Sequence, residues 1–230
     1  MIKKIFNRIM KKGDSTTSEM DAISPIKEIE NLLKIQSPKI CSVACIFESN
    51  EQVIVQKEFC EEELPPDAKF YGAYFLDDSN LILLTQKMPE PDFETGQVHY
   101  RTISNAEKLY FLSHELRHVW QKKYHADKFY NYNAVGMEVL EDSAEIDADA
   151  FAIAFLFSDR TPFTEKDVPE LAEEICLQAT IDNGKRWSNA YKLSEEFGFG
   201  KREKIDSLKG SADYKKINSL IRLMKINGMI

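Results

Sequence analysis

The chain is 230 residues long, 43% hydrophobic and 30% charged, with a net charge of −8 at pH 7, which suits one globular domain with a filled core. The excess of negative charge argues against a nucleic-acid partner, whose phosphates it would repel. The longest apolar run, Ala150 to Phe157, falls well short of the roughly 18 residues that a membrane-spanning helix requires.

Residues 1 to 22 form a basic amphipathic segment and linker in which Ile2, Ile5, Phe6 and Ile9 share a face and Lys and Arg fill the rest. The segment lacks the uninterrupted apolar core and small-residue cleavage site of a signal peptide, so a cytoplasmic protein without a transmembrane segment is expected. Weak contact with an anionic membrane surface is compatible with it; a frayed helix ahead of a polar linker is the simpler reading.

A first folded helix is predicted from Ser24 as N-cap and Pro25 as first helical residue, carrying Ile26, Ile29, Leu32 and Leu33 inward. Two hairpins follow. Residues 40 to 47 and 52 to 57 join through Glu-Ser-Asn-Glu, and residues 70 to 76 and 81 to 86 through Asp77-Asp78-Ser79-Asn80. Cys41 and Cys45 lie in the first strand, about 13 Å apart if extended, too far for a disulfide or a shared metal. Cys60 and Cys176 have no nearby partner, so all four cysteines read as reduced packing residues. Residues 87 to 103 hold two prolines and a glycine and read as a long irregular insertion.

Ser104-Asn105-Ala106-Glu107 is a capping box, and beyond it Leu109, Leu112, Leu116, Val119 and Trp120 keep a helical period. That helix carries His114-Glu115-Leu116-Arg117-His118, an H-E-x-x-H pentad. Residues four apart on a helix lie about 40° apart around the axis and one turn along it, so both imidazoles can address one metal ion. Glu115 stands beside them as general base for a metal-bound water, the equipment of a zinc hydrolase. A structural zinc site is disfavoured, because such sites are usually closed by four Cys or His ligands.

A third ligand is expected from residues 137 to 157, a second helix with Leu140, Ala144, Ala148, Phe151 and Phe155 on its core-facing stripe. Glu141, Glu145 and Asp149 form an adjoining acidic row. Glu145 with Asp149 offers one carboxylate for metal and a second, a turn later, to orient a ligating histidine. Asp147 should project about 160° from Asp149 and so take no part. Residues 164 to 181, 187 to 197 and 214 to 226 read as further helices with a structural or partner-binding role.

These motifs resemble the gluzincin metallopeptidases, and more closely the ImmA/IrrE type of intracellular metallopeptidase. The similarity spans about residues 70 to 157 and includes Glu145-Ile146-Asp147-Ala148-Asp149-Ala150-Phe151-Ala152, with Phe155-Leu156 in place of a pair of large aliphatics. It departs at Arg117, where a small residue is common, and at Phe157-Ser158, where Met-Pro often follows. The resemblance implies zinc held by His114, His118 and Glu145, the last ahead of Glu141, with Glu115 catalytic and Asp149 behind the ligands. It implies an α+β fold with a small, mostly antiparallel sheet packed on the two metal helices and a helical C-terminal extension. The organisation expected is a peptidase-like domain over residues 23 to 160 and an extension over 161 to 230.

The implied activity is cleavage of a protein or peptide substrate, a transcriptional repressor of a bacterium or mobile element being what the family suggests. The alternative is a metal-bound regulator that keeps the fold and cleaves little, against which the intact Glu115 speaks. Tyr124, His125, Tyr130 and Tyr132 are the unranked candidates for stabilising the oxyanion. The strand Leu81 to Thr85 resembles the one that lines the cleft in such peptidases; at a sheet edge it could pair with an extended substrate, while its continuous apolar run equally fits an ordinary core strand.

Overall fold

A computed structural model describes residues 23–65, 68–91, 98–126, 143–163 and 186–199. Residues 1 to 22, the predicted helices at 164 to 181 and 214 to 226, and Cys176, Glu141, Tyr130 and Tyr132 lie outside them. The described chain is α+β with small sheets dominated by antiparallel pairs. Its strands are β1 (Lys39–Val43), β2 (Cys45–Ser49), β3 (Gln52–Gln56), β4 (Lys69–Tyr71), β5 (Ala73–Leu76), β6 (Leu81–Thr85), β7 (Lys87–Pro91) and β8 (Val98–Thr102). Its helices are α1 (Ile23–Leu33), α2 (Asn105–Tyr124), α3 (Ser143–Leu156) and α4 (Arg186–Ser194). No described helix is long and apolar enough to cross a membrane.

Both expected hairpins form, but each of their outer strands is divided between two sheets. The orders are β1-β6-β5 and β3-β2-β4, with β7-β8 as a separate ribbon. At Ala44 the N–H donates to Gln56 of β3 (2.9 Å) while the C=O accepts from Gln86 and Lys87 (3.2 and 3.0 Å). The chain thereby leaves one sheet for the other at a single residue. Gly72 does the same between β4 and β5, and a Cβ there would meet the Phe111 ring of α2 at 2.3–2.4 Å. Only glycine lets the strand pass this close beneath the helix. In the β2–β3 turn, Asn50 and Glu51 both take positive φ (49° and 60°), which matches the right-handed strand twist.

One open alternative is decided and one expectation changes. Strand β6 is a core strand and not an edge: it lies between β1, parallel, and β5, antiparallel, as its complete burial requires. Of the stretch 87 to 103, expected to be irregular, residues 87–91 and 98–102 form strands, β7 and β8, paired from Lys87↔Thr102 to Pro91↔Val98, and residues 92 to 97 lie outside the described residues. Pro89 and Pro91 are tolerated because a two-stranded ribbon has an open edge on each side.

The main core joins Ile29 and Leu33 of α1, Ile82 and Leu84 of β6, Leu109, Leu112 and Leu116 of α2, and Phe151, Ile153 and Phe155 of α3. Helix α3 differs from its predicted one-sided stripe. Every residue from Ala148 to Leu156 is buried, because α4 contributes Ala190 and the following residues Phe197 and Phe199 pack on Phe151. Alanines at 148, 150, 152 and 154 allow close approach on either side. Residues 186 to 199 thus share the core of residues 23 to 160.

Helix α2 is set at its start by the predicted capping box. The Ser104 hydroxyl accepts from Glu107 N (3.2 Å), and the Glu107 carboxylate accepts from Ser104 N (2.7 Å). Arg101 of β8 adds two bonds to the same carboxylate, at 2.9 and 2.6 Å. Burial opposes ionisation of Glu107, but Arg101 and Ser104 outweigh it and hold its pKa below the usual value. A depressed folded pKa gives stability that is present at neutral pH and lost as pH falls through it. Glu107→Gln, which keeps a capping oxygen and loses the charge, should cost about 1–2 kcal/mol at neutral pH. The gap between denaturant melts of the two proteins should narrow as pH falls through the depressed pKa of Glu107; a gap undiminished in acid would contradict this.

Candidate metal centre

Three contacts between α2 and α3 pair rising numbers on one helix with falling numbers on the other. His114 meets Asp149, Arg117 meets Asp147, and Gln121 meets Ala144, so the helices run antiparallel. Glu145 projects between the histidines. Its Oε2 lies 3.3 Å from His114 Nε2 and its Oε1 lies 3.2 Å from His118 Nε2. The two Nε2 atoms are 3.0 Å apart.

This triangle can hold a metal ion. Bonds of about 2.0–2.1 Å at tetrahedral angles put neighbouring ligands about 3.3 Å apart, close to the separations here. The proton arrangement agrees. His114 Nδ1 is 2.8 Å from Asp149 Oδ1, a carboxylate that can only accept, so Nδ1 carries hydrogen and Nε2 offers its lone pair. His118 Nδ1 is likewise engaged, by Gln121 Oε1 at 2.8 Å. Two lone pairs and a carboxylate then converge, and only a cation or added protons can relieve their repulsion.

The electrostatics report the same strain. Burial disfavours charge on His114, yet Asp149 and Glu145 outweigh it and raise its pKa well above the usual imidazole value. His118 is raised too, Glu145 overcoming its burial. Glu145 itself is held well below the usual carboxylate range, the two imidazoles outweighing its burial. Glu115 shifts the other way. Burial raises its pKa, offset in part by the histidines and by the backbone N–H of Phe75, which donates to its carboxylate.

The structure brings together His114, Glu115, His118, Glu145 and Asp149, all five predicted site residues. Asp147 departs from its expected isolation. Its carboxylate takes two bonds from Arg117 (2.7 and 2.9 Å) and one from Gln121 Nε2 (2.8 Å). An ideal helical wheel places it away from Asp149, but long side chains reaching over from α2 capture it. The arginine inside the pentad is accounted for by the same contact, and its guanidinium lies over the rings of Trp120, Phe151 and Phe197 at 3.7, 5.4 and 5.2 Å.

Of the oxyanion candidates, Tyr124 and His125 are committed elsewhere. The Tyr124 hydroxyl donates to the Lys34 carbonyl (2.9 Å), and the His125 ring packs on Trp120 (4.8 Å) at the end of α2. Two residues escaped the sequence reading: Gln121, three after His118, and Tyr110, four before His114. The Tyr110 hydroxyl donates to Asp149 Oδ1 at 3.0 Å. Their helical spacing from the histidines was the available signal.

Asp149→Ala removes the acceptor that fixes the His114 tautomer and should weaken metal affinity by roughly 10–100-fold without abolishing it. Tyr110→Phe should cost less, since His114 Nδ1 keeps its carboxylate. Chelator competition measures both, and a variant Asp149→Ala with unchanged affinity would contradict the assignment. No protein-family model, curated protein or solved structure matches the chain, so the function of the site rests on its geometry.

Proposed function

We propose that the protein is an intracellular zinc-dependent peptidase acting on a protein substrate, as the resemblance to ImmA/IrrE-type metallopeptidases implies. The observation that carries the reading is the Nε2–Nε2–carboxylate triangle with a buried glutamate beside it. His114, His118 and Glu145 would hold Zn²⁺ and leave a coordination position open. Bound there, zinc would lower the pKa of its water and polarise the scissile carbonyl.

Glu115 then takes the attacking water's proton and delivers it to the leaving amine. Its raised pKa suits a base working near neutrality. Asp149 and Tyr110 keep His114 in its ligating tautomer.

Substrate binding is better served by β5 than by β6. Strand β5 ends its sheet among the described residues. Thr85 N–H donates to Gly72 C=O (3.0 Å), so Tyr74 and Leu76, two and four residues on, also face β6. Ala73 and Phe75 turn their backbone groups to the free edge. The Phe75 N–H reaches Glu115 from there. An extended peptide adding to this edge by backbone hydrogen bonds would be carried past the general base.

Glu115→Gln keeps size and hydrogen bonding but cannot accept the proton. It should retain zinc and fold while hydrolysis of a quenched-fluorescent peptide library falls by at least about 10²-fold. Equal cleavage by both proteins would sink the catalytic assignment. Equal function of the two in the cell would favour the metal-bound regulator instead.

A further inference from the structure

We infer that Gln121 is the positioning residue for His118, locked in its working orientation by Asp147 and Arg117. This rests on the metal reading above only for its consequence, and the tautomer part of it does not need the ion. A glutamine amide can turn either its oxygen or its nitrogen towards an imidazole, and the choice decides which ring nitrogen keeps the proton. Here both amide hydrogens are assigned. Gln121 Nε2 lies 2.8 Å from the Ala144 carbonyl and 2.8 Å from Asp147 Oδ2, and both can only accept.

Oε1 is therefore the atom that faces His118, at 2.8 Å from Nδ1. An oxygen acceptor there requires Nδ1–H and leaves the lone pair on Nε2, the atom turned towards Glu145 and His114. The amide orientation in turn depends on Asp147 staying in place. Arg117 secures it by bonds to its two oxygens, and aromatic rings of α2, α3 and the segment after α4 hold the guanidinium. Asp147 thus acts on His118 through Gln121.

The two histidines are served differently. His114 is fixed by a carboxylate, which strengthens it as a ligand; His118 is fixed by a neutral amide, which sets its tautomer without adding charge. A second carboxylate at 121 would stand against Asp147 and add to the negative charge of Glu145 and Asp149. The neutral amide meets the geometric need without that repulsion.

The test uses the full chain with Gln121→Met, Asp147→Ala and the double variant. Zinc affinity is measured by chelator competition, and the His118 tautomer by ¹⁵N NMR of metal-free protein at a pH where both rings are neutral. Gln121→Met should weaken zinc binding about 10-fold or more and lose the pure Nδ1–H pattern of His118. Asp147→Ala should give a smaller loss in the same direction. The double variant should bind zinc no worse than Gln121→Met, because Asp147 acts through the residue already removed. Unchanged affinity in Gln121→Met, or fully additive losses, would overturn the inference. Should the wild type bind no zinc, the metal reading fails by itself. The NMR pattern then still decides: Nδ1–H in the wild type and its loss in Gln121→Met support the positioning role, and an Nε2–H ring in the wild type overturns it.

Discussion

The antiparallel contact between α2 and α3 is the constraint on which the site depends. Each ring on α2 is held from outside the donor triangle, His114 by Asp149 and His118 by Gln121, and each holder is anchored in turn to α3 or by it. If either helix rotated by one residue, about 100°, both sets of bonds would break together. The capping box and Arg101 fix where α2 begins, and the all-round burial of α3 fixes its rotation. Gly72 lets β5 lie against α2, which brings the Phe75 N–H to Glu115.

Charge explains why such a cluster suits a cation. Asp147 is matched by Arg117. Glu115, Glu145 and Asp149 are left facing two imidazoles that are neutral when they act as ligands. Burying three carboxylates around two neutral rings is costly, and the raised histidine pKa values are the metal-free site's partial remedy. A divalent ion at the centre of the triangle would remove the need for those protons.

The parts legible in the sequence were those governed by a local rule. Ser104 and Glu107 announced a helix start, and H-E-x-x-H placed two rings on one face of it. A spacing of one turn offered Glu145 with Asp149, and the family resemblance put Glu145 ahead of Glu141. What escaped depended on neighbours far along the chain. Nothing local in residues 40 to 47 says that the strand changes sheets at Ala44, since the reason lies in Gln56, Gln86 and Lys87. The burial of α3 on every face comes from Ala190, Phe197 and Phe199, more than thirty residues later. Asp147 was misjudged because a helical wheel gives the direction of a Cβ and not the reach of an arginine or glutamine on the facing helix. Residues 81 to 85 read equally as an edge or a core strand, and their unbroken apolar run fits the central position they take, covered on both sides.

The most direct test of the account is the metal content of the purified chain, with His118→Ala and Glu145→Ala beside it. Equilibrated with zinc and then freed of loosely bound ions, the wild type should retain one zinc ion per chain, and each variant should retain little or none while keeping its helical signal. A wild type that takes up no zinc, or a Glu145→Ala variant that stays fully occupied, would contradict the triangle of His114, His118 and Glu145 as a metal site.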